Sequence, residues 1–164
     1  MAANESTKYT HFSNVSIGTE NGGGSLLVKG VEQGAGFART VSGAVTLTQA
    51  DSGKTIILDA AGGATVTLPA LADGLKFKFV VGASFASTNW VIDSAEGDNI
   101  NGIIADMGST VVAVPAIAED QINFVASAES VGDWIELVAD VGNSQWLVTG
   151  MCAINGGITA TDPS

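Results

Sequence analysis

Gly132-Asp133-Trp134-Ile135-Glu136-Leu137-Val138-Ala139-Asp140, a Val141-Gly142-Asn143-Ser144 connection, and Gln145-Trp146-Leu147-Val148-Thr149-Gly150 together decide the reading of this chain's fold. Apolar and polar residues alternate on both sides of a connection containing Gly and Asn. That is the pattern of a β-hairpin with one buried face. The buried face is expected to carry Trp134, the apolar neighbours of Glu136, and Trp146.

The same alternation recurs upstream. Val45 to Gln49, Lys54 to Asp59, Thr65 to Leu68 and Lys76 to Val81 read as strands, separated by Ala50-Asp51-Ser52-Gly53, Ala60-Ala61-Gly62-Gly63 and Pro69 to Gly74. In Lys76-Phe77-Lys78-Phe79 the period of two is strict, which points both phenylalanines inward and both lysines outward. Asn89 to Asp93, Ile100 to Ile104, Thr110 to Val114 and Gln121 to Ala126 continue the series. About ten short strands without a helical period predict an all-β body, an antiparallel sandwich or barrel. Ala113 to Glu119 is the one segment where a helical turn fits.

The chain changes character near residue 40. Residues 1–40 are polar and rich in glycine, with Asn21-Gly22-Gly23-Gly24-Ser25 and Gly34-Ala35-Gly36 as joints between short apolar pieces. They read as an extended arm, which at about 3.3 Å per residue reaches on the order of 100 Å. Val15, Ile17, Leu26, Leu27, Val28, Phe37 and Arg39 are the arm residues expected to touch a partner, since a mere linker needs no such apolar content. Residues 41–155 read as the body, with Phe77, Phe79, Trp134 and Trp146 in its core, and 156–164 as a flexible tail.

At 164 residues with 46% hydrophobic content, the chain suits one core-bearing domain plus an extension. Only 14% of residues are charged, against roughly 25% in an average soluble protein. All six basic residues, Lys8, Lys29, Arg39, Lys54, Lys76 and Lys78, lie at or before position 78, where six acids balance them. The net charge of −11 therefore belongs to the part beyond Lys78. Such a surface repels phosphate backbones, so no nucleic-acid partner is expected. No segment approaches the roughly 18 apolar residues of a membrane-spanning helix, and no membrane partner is expected. The N-terminus lacks the cationic and apolar regions of a secretory signal, which suits a soluble protein made in a reducing cytosol.

Apparent catalytic motifs weaken when their chemistry is required of them. Asp51-Ser52-Gly53-Lys54-Thr55 ends like a phosphate-binding loop, but Thr48 stands where the early glycine belongs, and Ile56-Ile57-Leu58 continues as strand rather than helix. His11 is the one histidine and lies in the arm, so neither a Ser-His-Asp system nor a histidine zinc site can be assembled around it. Asp93, Glu96, Asp98, Asn99 and Asp106 offer oxygens, yet their spacing is not that of a calcium loop and turn chemistry explains them. Glu136 with Asp140, or Glu119 with Asp120, could be nominated as a glycosidase pair, but Trp90, Trp134 and Trp146 fall on strand patterns instead of lining a cleft. Cys152 stands alone, which excludes an intrachain disulfide and a cysteine metal site. No catalytic residue, metal or cofactor is expected.

Leu47-Thr48-Gln49-Ala50-Asp51-Ser52-Gly53-Lys54-Thr55-Ile56-Ile57-Leu58-Asp59, Ala64-Thr65-Val66-Thr67-Leu68-Pro69 and Gly74-Leu75-Lys76-Phe77-Lys78-Phe79 resemble a module of head decoration and tail-fibre proteins of tailed bacteriophages. There the module closes with a Gly-Asp-aromatic strand, a turn and a Trp strand, which Gly132 to Trp146 matches. The resemblance covers about residues 45–150. It implies a homo-oligomeric, usually trimeric, structural protein without catalytic residues. A compact acidic body with one arm suits a capsid decoration, or cement, protein. Such a protein is made in the host bacterial cytoplasm, sits on the outer surface of the head, and has itself and the major capsid protein as partners. A tail-fibre or receptor-binding module is the alternative.

Overall fold

Alternating side chains make each strand of this chain two-faced, and two sheets bury their apolar faces against each other. The computed structural model describes residues 37–94, 98–108 and 112–163. Its strands are β1 (Ala38–Val41), β2 (Val45–Thr46), β3 (Thr55–Leu58), β4 (Thr65–Thr67), β5 (Lys76–Val81), β6 (Trp90–Asp93), β7 (Asn99–Asp106), β8 (Val112–Glu119), β9 (Gln121–Phe124), β10 (Trp134–Asp140), β11 (Gln145–Cys152) and β12 (Ile158–Thr161). One sheet has seven strands in the order β1-β3-β5-β10-β11-β7-β8, and the other has five, β12-β9-β6-β4-β2. The all-β class read from the sequence is the observed one, and of the sandwich and the barrel it is the two-sheet arrangement that forms.

The direction of pairing differs from the antiparallel expectation. β1 with β3, β3 with β5, β11 with β7, β2 with β4, and β4 with β6 are parallel pairs. From β1 to β6 the chain coils: successive strands alternate between the sheets, and each lies parallel to the strand two before it. Parallel neighbours need a crossover connection, commonly a helix. Here a strand of the opposite sheet supplies it. The short loops between β1 and β6 are arches across the core, and among the described strands β7–β8 and β10–β11 alone turn back within one sheet.

Between the sheets lies one apolar core. Phe77, Phe79, Ile135, Leu137, Trp146 and Val148 face it from the larger sheet, and Trp90, Ile92, Ile122, Phe124 and Ile158 from the smaller one, all essentially inaccessible. Phe77 and Trp146 meet with ring centroids 5.9 Å apart. Backbones come close enough at Gly102, φ +152°, that a Cβ there would lie 1.9 Å from the Val148 carbonyl oxygen, so only glycine fits.

Three segments differ from the sequence expectation. Ala113 to Glu119 forms part of β8 rather than a helical turn, and Pro115 sits there because β8 is an edge strand, where a missing N–H does no harm. Residues 38–40, assigned to the arm, are β1, and Val41 at its end is buried. Residues 158–161, assigned to the tail, are β12, paired with β9 along its length, with Ile158 fully buried.

Candidate functional site

The polar side chains that looked chemically capable hold the body together. Asp51 accepts hydrogen bonds on Oδ2 from the Thr48 N–H and hydroxyl, both at 3.1 Å, and pairs with Arg39 Nη1 at 2.8 Å and Lys54 Nζ at 3.0 Å. Burial alone would raise its pKa, but Lys54, Thr48 and Arg39 together outweigh this and lower it to about 2. Lys54, the lysine of the phosphate-loop look-alike, is thus engaged internally. Arg39, expected to touch a partner, is tied into the body by the same carboxylate.

Two buried carboxylates pin the connection between β11 and β12. Asp106 accepts from the N–H groups of Gly108 at 3.0 Å and Gly156 at 2.8 Å, and Asp133 from those of Ser130 at 2.8 Å and Ala153 at 2.9 Å. Each carboxylate oxygen thereby replaces water for an otherwise orphaned backbone donor. Cys152 lies buried between them, and burial first, then the nearby Asp106 and Asp133 charges, push its thiol pKa up. A thiol in that setting is a poor nucleophile.

Of the acids weighed as a glycosidase pair, Glu136 is bound to Lys76 Nζ at 3.0 Å. Asp140 accepts from Asn143 and Gln145, both at 2.8 Å, which hold its pKa below the ordinary range. Four positions apart on one strand, the two acids are about 13 Å distant, beyond the separation either glycosidase geometry uses. Asp93 accepts from Gln121 at 2.7 Å. Among the described residues no group of three His, Cys, Asp or Glu side chains is placed to hold a metal ion. No helix among them is long and apolar enough to cross a membrane. His11 and Glu96 lie outside the described residues.

What distinguishes the molecule is the contrast between its two outer faces. On the five-stranded sheet the outward side chains are Thr46, Thr65, Thr67, Val91, Asp93, Gln121, Asn123, Thr159 and Thr161, and Asn123 donates to the Thr161 hydroxyl at 2.9 Å. The seven-stranded sheet presents a different surface. The register aligns Ile57, Val80, Trp134, Met151, Ala105 and Ala113 in one outward row across six strands. The next outward row holds Thr55, Lys78, Glu136, Thr149, Ile103 and Pro115, and beyond it stand Val138 and Leu147. Val138, Leu147, Met151, Ile103 and Ile117 are exposed, Ile103 at 62% and Ile117 at 71%. Met107, Val131, Trp134, Met151 and Ala153 line a hollow of about 370 Å³ beside the middle of the apolar row.

No family model, curated protein or solved structure matches this chain.

Phe77, Phe79 and Trp146 lie fully buried in the core. Trp134, expected with them, lies on the outer face, half-buried under Lys78, whose Nζ stands 4.6 Å from the ring centroid. Its parity decides this: Trp134 shares a strand face with Glu136, whereas Ile135 and Leu137 fill the opposite, buried face. Phe37 is 71% exposed, and its carbonyl accepts the Thr55 N–H at 2.7 Å, so its backbone is already part of the body. Val15, Ile17, Leu26, Leu27 and Val28 lie outside the described residues. The sequence reading missed the apolar outer face, although strict alternation through Trp134, Glu136 and Val138, and through Leu147, Thr149 and Met151, carries its signal.

Proposed function

We propose that this chain is a capsid decoration protein of a tailed bacteriophage: a homotrimer that binds the outer surface of the mature head and stabilises it without chemistry. The observation that carries this reading is where the resembling segments fall. Those around Thr55, Lys76, Trp134 and Trp146 fold as β3, β5, β10 and β11, four consecutive neighbours of the larger sheet. Of the resembling segments, Ala64–Pro69 folds into the smaller sheet as β4, and the other strand-forming ones lie side by side in the larger sheet. Asp51, Asp106 and Glu136, which were weighed for chemistry, are engaged in backbone pinning and ion pairs, in keeping with a structural role.

In this reading the segment before β1 is the clamp that reaches neighbouring shell proteins, and three such segments on one body bind as a unit through effective concentration. Binding only the expanded shell stabilises that shell by mass action. Densitometry of purified particles tests it: a decoration protein is present in hundreds of copies, and a fibre or receptor-binding module in few. Deleting residues 1–36, which leaves β1 and the Arg39–Asp51 pair intact, is expected to abolish binding to stripped heads while the body stays folded. Retained binding by the truncated body would remove the clamp from the proposal.

A further inference from the structure

The outer face of the seven-stranded sheet carries an unbroken apolar row across six strands, next to a row in which Thr55, Lys78, Glu136 and Thr149 interrupt the apolar side chains, and it lies at the surface of a single copy. One chain built two outer faces from the same alternation, and only the smaller sheet's face is polar as water demands. Solvent exposure alone therefore does not account for Trp134, Val138, Leu147, Met151 and Ile103 on the larger one. Contiguous apolar surface rimmed by polar groups marks an interaction site. Here the rim is Asn99, Asn101, Gln145 and Asp140 at one end of the strands.

We infer that this face packs against further copies of the same chain. Charge selects that occupant. Each copy carries −11, so copies repel one another wherever acids point outward. On the larger sheet's outer face the charges balance: Lys76 pairs with Glu136, and Lys78, lying on Trp134, offsets Asp140, whereas the smaller sheet's outer face carries Asp93 with no cation beside it among the described residues. Like-charged copies approach there at least electrostatic cost. Size agrees. Seven strands spaced about 4.8 Å apart and roughly 20 Å long present on the order of 600 Å² before side-chain relief, close to the roughly 800 Å² per partner of a stable interface. The five-stranded face, with strands of two to four residues, is smaller as well as polar.

This inference rests on the homo-oligomeric part of the proposed function and is independent of any shell. Sedimentation equilibrium of the full chain, with Leu147→Glu combined with Ile103→Glu, and Thr65→Glu on the other sheet as control, tests it. The expected result is a wild-type mass that is a multiple of 16.5 kDa, unchanged by Thr65→Glu and reduced to 16.5 kDa by the double substitution with near-ultraviolet circular dichroism preserved. A wild-type oligomer that survives the double substitution overturns the inference and leaves the trimeric clamp standing. A wild-type monomer at high concentration overturns both. A monomer whose residues 1–36 become protease-sensitive only in the double variant also overturns it, because that segment would then be the occupant.

If the double variant does not fold, the wild type reports on itself. Trp90 and Trp146 are fully buried and Trp134 is not, so acrylamide quenching of the native protein reads Trp134. Quenching is expected to rise several-fold on dilution through dissociation. Quenching that stays constant while the mass falls places the contact elsewhere and overturns the inference.

Discussion

Asp51 joins three pieces of chain that local forces would leave apart: the start of β1 through Arg39, the 3-10 turn Gln49–Asp51 through Thr48, and the approach to β3 through Lys54. Its carboxyl titrates near 2 in the folded chain against an ordinary 3.8. Between those values the unfolded chain binds more protons, so stability rises with pH. The contribution is complete above about pH 5 and disappears as pH falls through the folded value near 2. Its size is about 2 kcal/mol, or several degrees in Tm for a chain of this length. Asp51→Asn is accordingly expected to melt several degrees below wild type at pH 7, with the gap closing towards pH 2. Thermal melts of both proteins across that range check it, and a gap independent of pH would assign the loss to packing rather than charge.

At the scale of elements, β12 shows how the core is completed from the far end of the described chain. The loop before it is fixed by Asp106 and Asp133, Val125 donates to the Gly157 carbonyl oxygen at 2.9 Å, and Ile158 then enters the core opposite Phe124. Ile158→Ala is expected to cost about 3 kcal/mol, or roughly 10 °C in Tm. Ending the chain after Asn155 is expected to cost more, by also uncovering β9. Differential scanning calorimetry checks both, and a silent truncation would return residues 156–164 to the status of a tail. The sequence hid β12 because Ile-Thr-Ala-Thr offers only one large apolar side chain. It read β8 only as far as Val114, because Val-Ala-Val-Pro-Ala-Ile-Ala has no polar partner to set a period of two, and it left β1 in the arm. Ten of the twelve strands were legible at least in part, because Val, Ile and Phe alternate there with Thr, Lys and Asn. Parallel pairing was not legible. An alternating strand presents the same faces whichever way its neighbour runs, and the choice is made by arches that close only in three dimensions. The engaged states of Arg39 and Asp133 were hidden for the same reason, since their partners lie 12 and 20 positions away.

For the whole molecule, charge and apolar surface are segregated, and this fixes the sign of a measurable response. Every basic residue lies at or before Lys78, and the acids beyond it leave −11 in all, while the larger sheet's outer face is nearly neutral. Association through that face brings like-charged bodies together, so long-range repulsion opposes the short-range gain from apolar burial. Salt weakens only the repulsion: the screening length falls from about 30 Å at 0.01 M to about 8 Å at 0.15 M. Self-association is therefore expected to tighten several-fold over that range and to strengthen further in sulfate, which favours apolar burial. Sedimentation of the full chain at fixed concentration and rising ionic strength reads the effect directly. Weakening with salt would instead mean that ion pairs hold the copies together, and would move the contact off the seven-stranded sheet to a surface where Asp93 or Asp120 can find a cation.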